Sequence, residues 1–237
     1  MKSHQTKTFA ILLSLGILTT PLSAFAITGL YAGALGGLNV SQFSFSPAPS
    51  GATMASGKSF AGGVAVGFPI MPLLGLEVDA VMAQQALSMD VSTTAAGYTF
   101  SYSADMKMNH LQIPVLVRFG FLDMFSVGAG LFYAMGLGDI SSDESISVTN
   151  GGATVQSTSK TTTVTYDKAK MSKSVYGAIA SGTFMYSFMP MLSAGVDLRY
   201  LMGLNNLYTG SGGSGYSAGT KITVSNFQAL ASVRLSI

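Results

Sequence analysis

The chain has 237 residues, of which 48% are hydrophobic and only 9% charged, with 12 Lys and Arg against 10 Asp and Glu. Ordinary soluble domains are about 25% charged, so there is little here to furnish a solvated exterior, and the near balance of sign offers nothing to nucleic acid. Cysteine is absent, which excludes disulfides and thiolate metal sites.

The first expected element is a cleaved signal peptide over residues 1–26. Lys2 and Lys7 form its positive end, an apolar stretch runs from Phe9 to Leu18, and Ala24-Phe25-Ala26 reads as a cleavage site before Ile27. That stretch is too short for a stable membrane helix. Lys2 and Lys7 leave with it, so residues 27–237 form one formally neutral domain. No later apolar run is long enough for a spanning helix, and the other way to satisfy a backbone in lipid is a closed barrel.

Eight strands with a period of two are expected in order. The first places Leu30, Ala32, Ala34, Leu38 and Val40 opposite Tyr31, Gly33, Asn39 and Ser41; the second places Phe60, Val64, Val66 and Phe68 opposite glycine and alanine. The third sets Leu74, Leu76, Val78, Ala80 and Met82 against Glu77 and Asp79. The fourth sets Ile113, Val115, Val117, Phe119 and Phe121 against Gln112 and Arg118. The fifth runs from Phe125 to Leu137, the sixth from Tyr176 to Phe188, the seventh from Leu192 to Met202 and the eighth from Phe227 to Ile237. Short turns at Met71-Pro72, Leu122-Asp123-Met124 and Met189-Pro190-Met191 alternate with Gly/Ser/Thr-rich connections at 47–58, 93–97, 139–173 and 205–219. That is the pattern of an eight-stranded antiparallel up-and-down transmembrane β-barrel with both ends in the periplasm. Phe68, Phe121 and Phe188 each precede a short turn, as an aromatic girdle requires. On the fourth strand the apolar set is even-numbered at Tyr98, Phe100, Tyr102, Met106 and Met108 and odd-numbered from Leu111, which predicts a β-bulge near Asn109-His110.

Alternation does not say which face meets lipid, and a secreted barrel of lipocalin type has the same period with its apolar face inward. Charge placement decides for lipid outside: the apolar face of every strand is free of charge near its short turn. Six charges then point into the lumen in the periplasmic half: Glu77, Asp79, Arg118, Asp197, Arg199 and Arg234. Three are negative and three positive, and burial demands that they pair. The expected arrangement is a salt-bridge plug, which either holds the barrel in shape or gates it.

No catalytic constellation is visible. His110 is the one histidine after the signal and has no serine in a short motif with it, and one His without Cys cannot build an ordinary transition-metal site; no metal and no cofactor are expected. The longest connection carries acidic Asp139, Asp143 and Glu144, then basic Lys168, Lys170 and Lys173, with a small hairpin expected near Asn150-Gly151. Long loops on a rigid barrel are where contacts with an extracellular ligand lie, and its lysines suit lipopolysaccharide phosphates.

His110-Leu111-Gln112-Ile113-Pro114-Val115-Leu116 resembles the "YLEIPLL" strand of the porin-family, PorT-like outer-membrane β-barrel domain, an architecture akin to OmpA/OmpX-type barrels. Gly36-Gly37-Leu38-Asn39, Leu76-Glu77-Val78-Asp79 and Asp197-Leu198-Arg199-Tyr200 extend the likeness over most of residues 27–237. The resemblance implies the outer-membrane location and the fold; with no catalytic constellation, the expectation is a non-enzymatic, monomeric protein surrounded by outer-membrane lipid and lipopolysaccharide and inserted by the barrel-assembly machinery. A narrow channel for ions or small solutes and, further off, a lipid-modifying enzyme are the competing expectations.

Overall fold

In the computed structural model, residues 29–47, 52–122, 124–210 and 219–237 are described; the expected signal peptide lies outside them. Nine strands form: β1 (Tyr31–Ser46), β2 (Ala52–Met71), β3 (Leu74–Ala95), β4 (Tyr98–Leu122), β5 (Phe125–Asn150), β6 (Ala153–Val164), β7 (Ser174–Met189), β8 (Leu192–Gly203) and β9 (Lys221–Ser236). Every pairing is antiparallel. Eight of the strands close a ring, because β1 pairs with both β2 and β9 while β4 pairs with β5 and β5 with β7. The ninth, β6, lies outside the ring and pairs only with the upper part of β5, Ile140 to Asn150. Ring closure gives each strand two neighbours through the apolar zone, which is the condition for a strand to cross lipid.

The short turns at Met71-Pro72 and Met189-Pro190-Met191 fall where the sequence places them; β4 ends and β5 begins on either side of the third, whose Asp123 lies outside the described residues. The β3–β4 connection is a two-residue hairpin at Ala96-Gly97, both with positive φ, as a primed turn needs. A second such turn, Gly151-Gly152, joins β5 to β6. The expected long loop over residues 139–173 is therefore mostly a hairpin of two strands, and only residues 165–173 remain irregular.

The expected bulge on the fourth strand is absent. The β3–β4 register runs unbroken from Leu74↔Phe119 to Ala95↔Tyr98. The irregularity lies on the partner strand: Lys107 faces Ser141 and Asn109 faces Leu137, so Gly138, Asp139 and Ile140 stand opposite Met108 alone. Gly138 takes a positive φ there. Two extra residues, unlike one, leave the faces of β5 unchanged. The even-numbered residues of β4 accordingly stay inward along its length, with Ala104, Met108, His110, Gln112, Leu116 and Arg118 all buried.

What changes along the strands is the surrounding medium. Near the short turns the outward residues are apolar: Leu74 to Met82 on β3, Leu111 to Phe121 on β4, Phe227 to Leu235 on β9. Ten residues of strand, at roughly 3.3 Å each and a tilt of about 40°, rise about 25 Å, the height of the apolar band of an outer-membrane barrel. Beyond it the outward residues are polar (Gln84 and Ser88 on β3, Asp105 and Lys107 on β4, Lys221, Thr223 and Ser225 on β9) and the inward ones are apolar, including Phe43, Leu87, Met108, Ile140 and Ile222. The strands thus outrun the lipid and continue into water with the pattern inverted.

Candidate functional site

The lumen is filled in layers. The lowest holds the six charged residues expected from the sequence, and all six are buried there. β3 and β4 stand across the ring from β8 and β9, so inward side chains from the two walls meet. Arg118 pairs with Glu77 and, at 2.7 Å, with Asp197. Arg199 reaches Asp79 at 2.5 Å, Asp197 at 2.9 Å and Glu77 at 3.3 Å. Arg234 reaches Glu77 at 3.1 Å and lies 3.9 Å from Asp197. The cluster is electrically neutral, which is what allows three guanidinium groups and three carboxylates to leave water together.

Three residues not singled out from the sequence complete this layer. The Tyr31 hydroxyl donates to Glu77, and the Arg234 guanidinium lies over the Tyr31 ring at 4.6 Å. Arg118 also donates to the Thr183 hydroxyl at 2.5 Å and to the Ser181 hydroxyl at 3.2 Å. Gly67, paired with Tyr31, makes room for the ring, since a Cβ there would sit 2.0 Å from Tyr31 Cζ. Tyr31 shares the odd-numbered face of β1 with Gly33, Asn39 and Ser41, and that shared face was the available signal for it.

Above lies a layer of amides. Gln228 donates to Gln112 at 2.9 Å and to Asn39 at 3.3 Å, while Ser41 donates to Asn226 at 2.9 Å. Asn39 and Ser59 both donate to the Gln84 carbonyl, where the β2–β3 register shifts between Ser56 and Ala61. Leu35, Ala61, Ala65, Val81, Ala83 and Leu230 pack beside these groups. His110 is buried at the top of the layer with its ring edge-on to Tyr166 at 6.2 Å. It has no serine or acidic partner among its described contacts.

The third layer is an apolar chamber at the loop end. Phe43, Leu87, Met106, Met108, Ile140 and Ile222 project into it from the wall and line a half-open cavity of about 250 Å³. Segments 165–173 and 204–210 close over one side, held by an antiparallel bridge between Met171 and Tyr208 and by backbone bonds from Ser172 to Leu207 and from Thr209 to Lys170. Tyr166, Ala169, Met171, Leu207 and Tyr208 turn inward from these segments.

The residues of the expected surface loop do not form two opposed patches. Asp143 and Glu144 are neighbours on a strand and face opposite ways: Asp143 bonds outside the wall to Thr161 and Lys107, while Glu144 lines the chamber. The Thr161 hydroxyl, with the Lys107 ammonium, holds the Asp143 carboxyl below its ordinary pKa. Asp139 lies exposed in the β5 irregularity, and Lys168, Lys170 and Lys173 are exposed on the segment between β6 and β7.

A closed ring of antiparallel strands, an apolar outer band capped by Phe68, Phe121 and Phe188, and a charged interior define an integral β-barrel protein of the bacterial outer membrane. Residues 24–209 match the outer membrane protein beta-barrel domain, and the chain belongs to that family. Three solved structures align with the chain over most of their length. Neisserial surface protein A is 14% identical, covering 89% of this chain and 98% of its own at a TM-score of 0.42. The outer membrane protein OprG from Pseudomonas aeruginosa is 14% identical, covering 88% and 97% at 0.45. Ail, the attachment invasion locus protein of Yersinia pestis, is 12% identical, covering 87% and 99% at 0.37. No curated protein matches the chain.

Proposed function

We propose that this protein is a non-enzymatic, non-conducting outer-membrane barrel whose lumen is closed in its periplasmic half and whose interactions take place at the outer end. The observation that carries this reading is the ion-pair cluster. Glu77, Asp79, Asp197 and Arg199 are at most 2% exposed, and their bonds join opposite walls of the barrel. An eight-stranded ring is only wide enough to be filled by its own side chains, and here the filling is charged, paired and neutral. A transported ion would have to displace guanidinium–carboxylate bonds in a water-poor interior, where unpaired charge is costly.

The exposed lysines 168, 170 and 173, on a segment pinned by the Met171–Tyr208 bridge, give the outer end a fixed cationic edge suited to lipopolysaccharide phosphates. Planar-bilayer recording tests the closure. The expected result is no stable conductance from the wild-type protein and intermittent openings from Arg199→Met. A steady, large wild-type conductance would overturn it. Replacing the three lysines with alanine should weaken retention of lipopolysaccharide on the purified barrel; unchanged retention would remove that assignment.

A further inference from the structure

The geometry points to a second function for the lumen: its outer chamber is a binding site for one small, mainly apolar molecule with a cationic end, held by its body among the methionines and by its charge at Glu144. The first support is the inversion of the strands. Above the lipid band the wall is polar outside and apolar inside, which is how an eight-stranded barrel in water is built when it holds one small ligand. Lipid does not demand an apolar lumen, and at this height there is no lipid to account for the pattern.

The second support is unfilled volume. Within the wall at the loop end, partly roofed and open on its other side, the chamber leaves room of about 250 Å³, far more than the water-sized voids left in a packed interior. An engineered apolar cavity of about 150 Å³ takes up benzene. The chamber therefore suits a ring with a short chain, smaller than the ligands of most drug-sized pockets. Its lining includes Met89, Met106, Met108 and Met171, and thioether side chains adapt to ligands of irregular shape.

The third support is asymmetry of charge. Among the described residues lining the chamber, Glu144 alone is charged, with Ser142 one turn of the pleat below it on the same face of β5. Its cross-strand neighbour Lys160 makes no ion pair with it among the described residues, so the carboxylate is available there to favour an amine and disfavour an acid of the same shape. Below, the amide layer of Asn39, Gln112 and Gln228 closes the floor, so the site is a blind one served from the loop end.

The test uses the full barrel in lipid nanodiscs, with ¹³C-labelled methionine methyl groups, titrated with 4-phenylbutylamine and separately with 4-phenylbutyrate. The amine should shift the Met106 and Met108 methyl signals saturably and leave those of lipid-facing Met82 and Met135 unchanged. It should bind about fivefold more tightly than the acid, the scale of one partly exposed ion pair, and Glu144→Gln should bring that ratio near one. Ala104→Phe, or Ile222→Phe if the first fails to show heat-modifiable migration, should fill the chamber and abolish the saturable shifts. Equal response at Met82 and Met106, no response at Met106, or survival of the shifts in the filled variant would overturn the site. A ratio indifferent to Glu144→Gln would overturn the cationic end. Either failure is separate from the conductance result, which concerns the layer below.

Discussion

Arg199→Met isolates the energetics of the charged layer. Arg199 is 1% exposed and meets Asp79, Asp197 and Glu77, the last two shared with Arg118. Removing it leaves three carboxylates facing two guanidinium groups, with Asp79 deprived of its one ion-pair partner among the described residues. Breaking a buried pair from one side typically costs about 3–5 kcal/mol, a factor of at least about 10² in the folding constant. The outer-membrane setting gives no relief, because the layer lies within the apolar band. Restoring neutrality with Arg199→Met/Asp79→Asn should recover more than half of that loss, since the remaining two carboxylates and two guanidinium groups still pair. Urea titrations in lipid vesicles, with folded fraction read from heat-modifiable gel migration, give both numbers. A single variant within about 0.5 kcal/mol of wild type, the range of ordinary surface substitutions, would refute the claim that these charges are buried and coupled. So would a double variant no more stable than the single one.

Gly67→Val should destabilise by about 1–3 kcal/mol, as overpacking does, because its Cβ would sit 2.0 Å from Tyr31 Cζ; with Tyr31→Ala present the cost should shrink, and the same urea titration shows whether it does. Val117→Lys, on the outward face within the apolar band, should cost about 2–4 kcal/mol, while Thr223→Lys, outward but above the band, should cost less than about 1 kcal/mol; equal costs would misplace the boundary. The bonds of Asp143 carry a pH signature. Its folded pKa lies below the ordinary value, so its contribution is full above about pH 3.9 and disappears as the pH falls through the folded pKa. Hydrogen exchange at the β5–β6 hairpin should therefore hold steady from pH 7 to about pH 5, then quicken in acid for wild type relative to Asp143→Asn, once intrinsic acid and base exchange rates are factored out.

The lower barrel was legible because lipid imposes a single rule there: each outward residue is apolar, so period-two alternation, three short turns and six stray charges were enough to place the strands and the charged layer. That rule fails higher up. Tyr102, Met106 and Met108 looked like an outward set displaced by a bulge, when they are an inward set whose strand has passed from lipid into water. Periodicity reports that two faces differ; it does not say which faces the solvent, nor that the solvent changes midway. The hairpin expected near Asn150-Gly151 is present, but the full length of its second arm, β6, went unseen because the Ser/Thr-rich run Ala153–Val164 is exposed on both faces and gives no alternation to read, although its threonines and valines suit a strand. Glu144 was grouped with Asp143 by adjacency in sequence, and a strand sends adjacent side chains to opposite faces.

The inversion also explains how one short chain combines a base filled by paired charges with an open-packed top. Within the band the outside is committed to apolar residues, so the polar and charged residues the chain possesses must go inward, where burial forces them to pair across the ring and fill it. Above the band the outside takes the polar residues, and the apolar ones move inward without directional bonds to close the space. Hydrogen bonds and ion pairs fix the positions of their partners; dispersion contacts between flexible thioethers do not. The part of the lumen proposed to admit a guest is therefore the part lined mainly by aliphatic and thioether side chains, and the β5 irregularity at Gly138–Ile140 sits at the junction. There, with two added residues, β5 leaves β7 after Met135 and takes up β6 from Ile140, so the change of neighbour falls where the lining turns apolar.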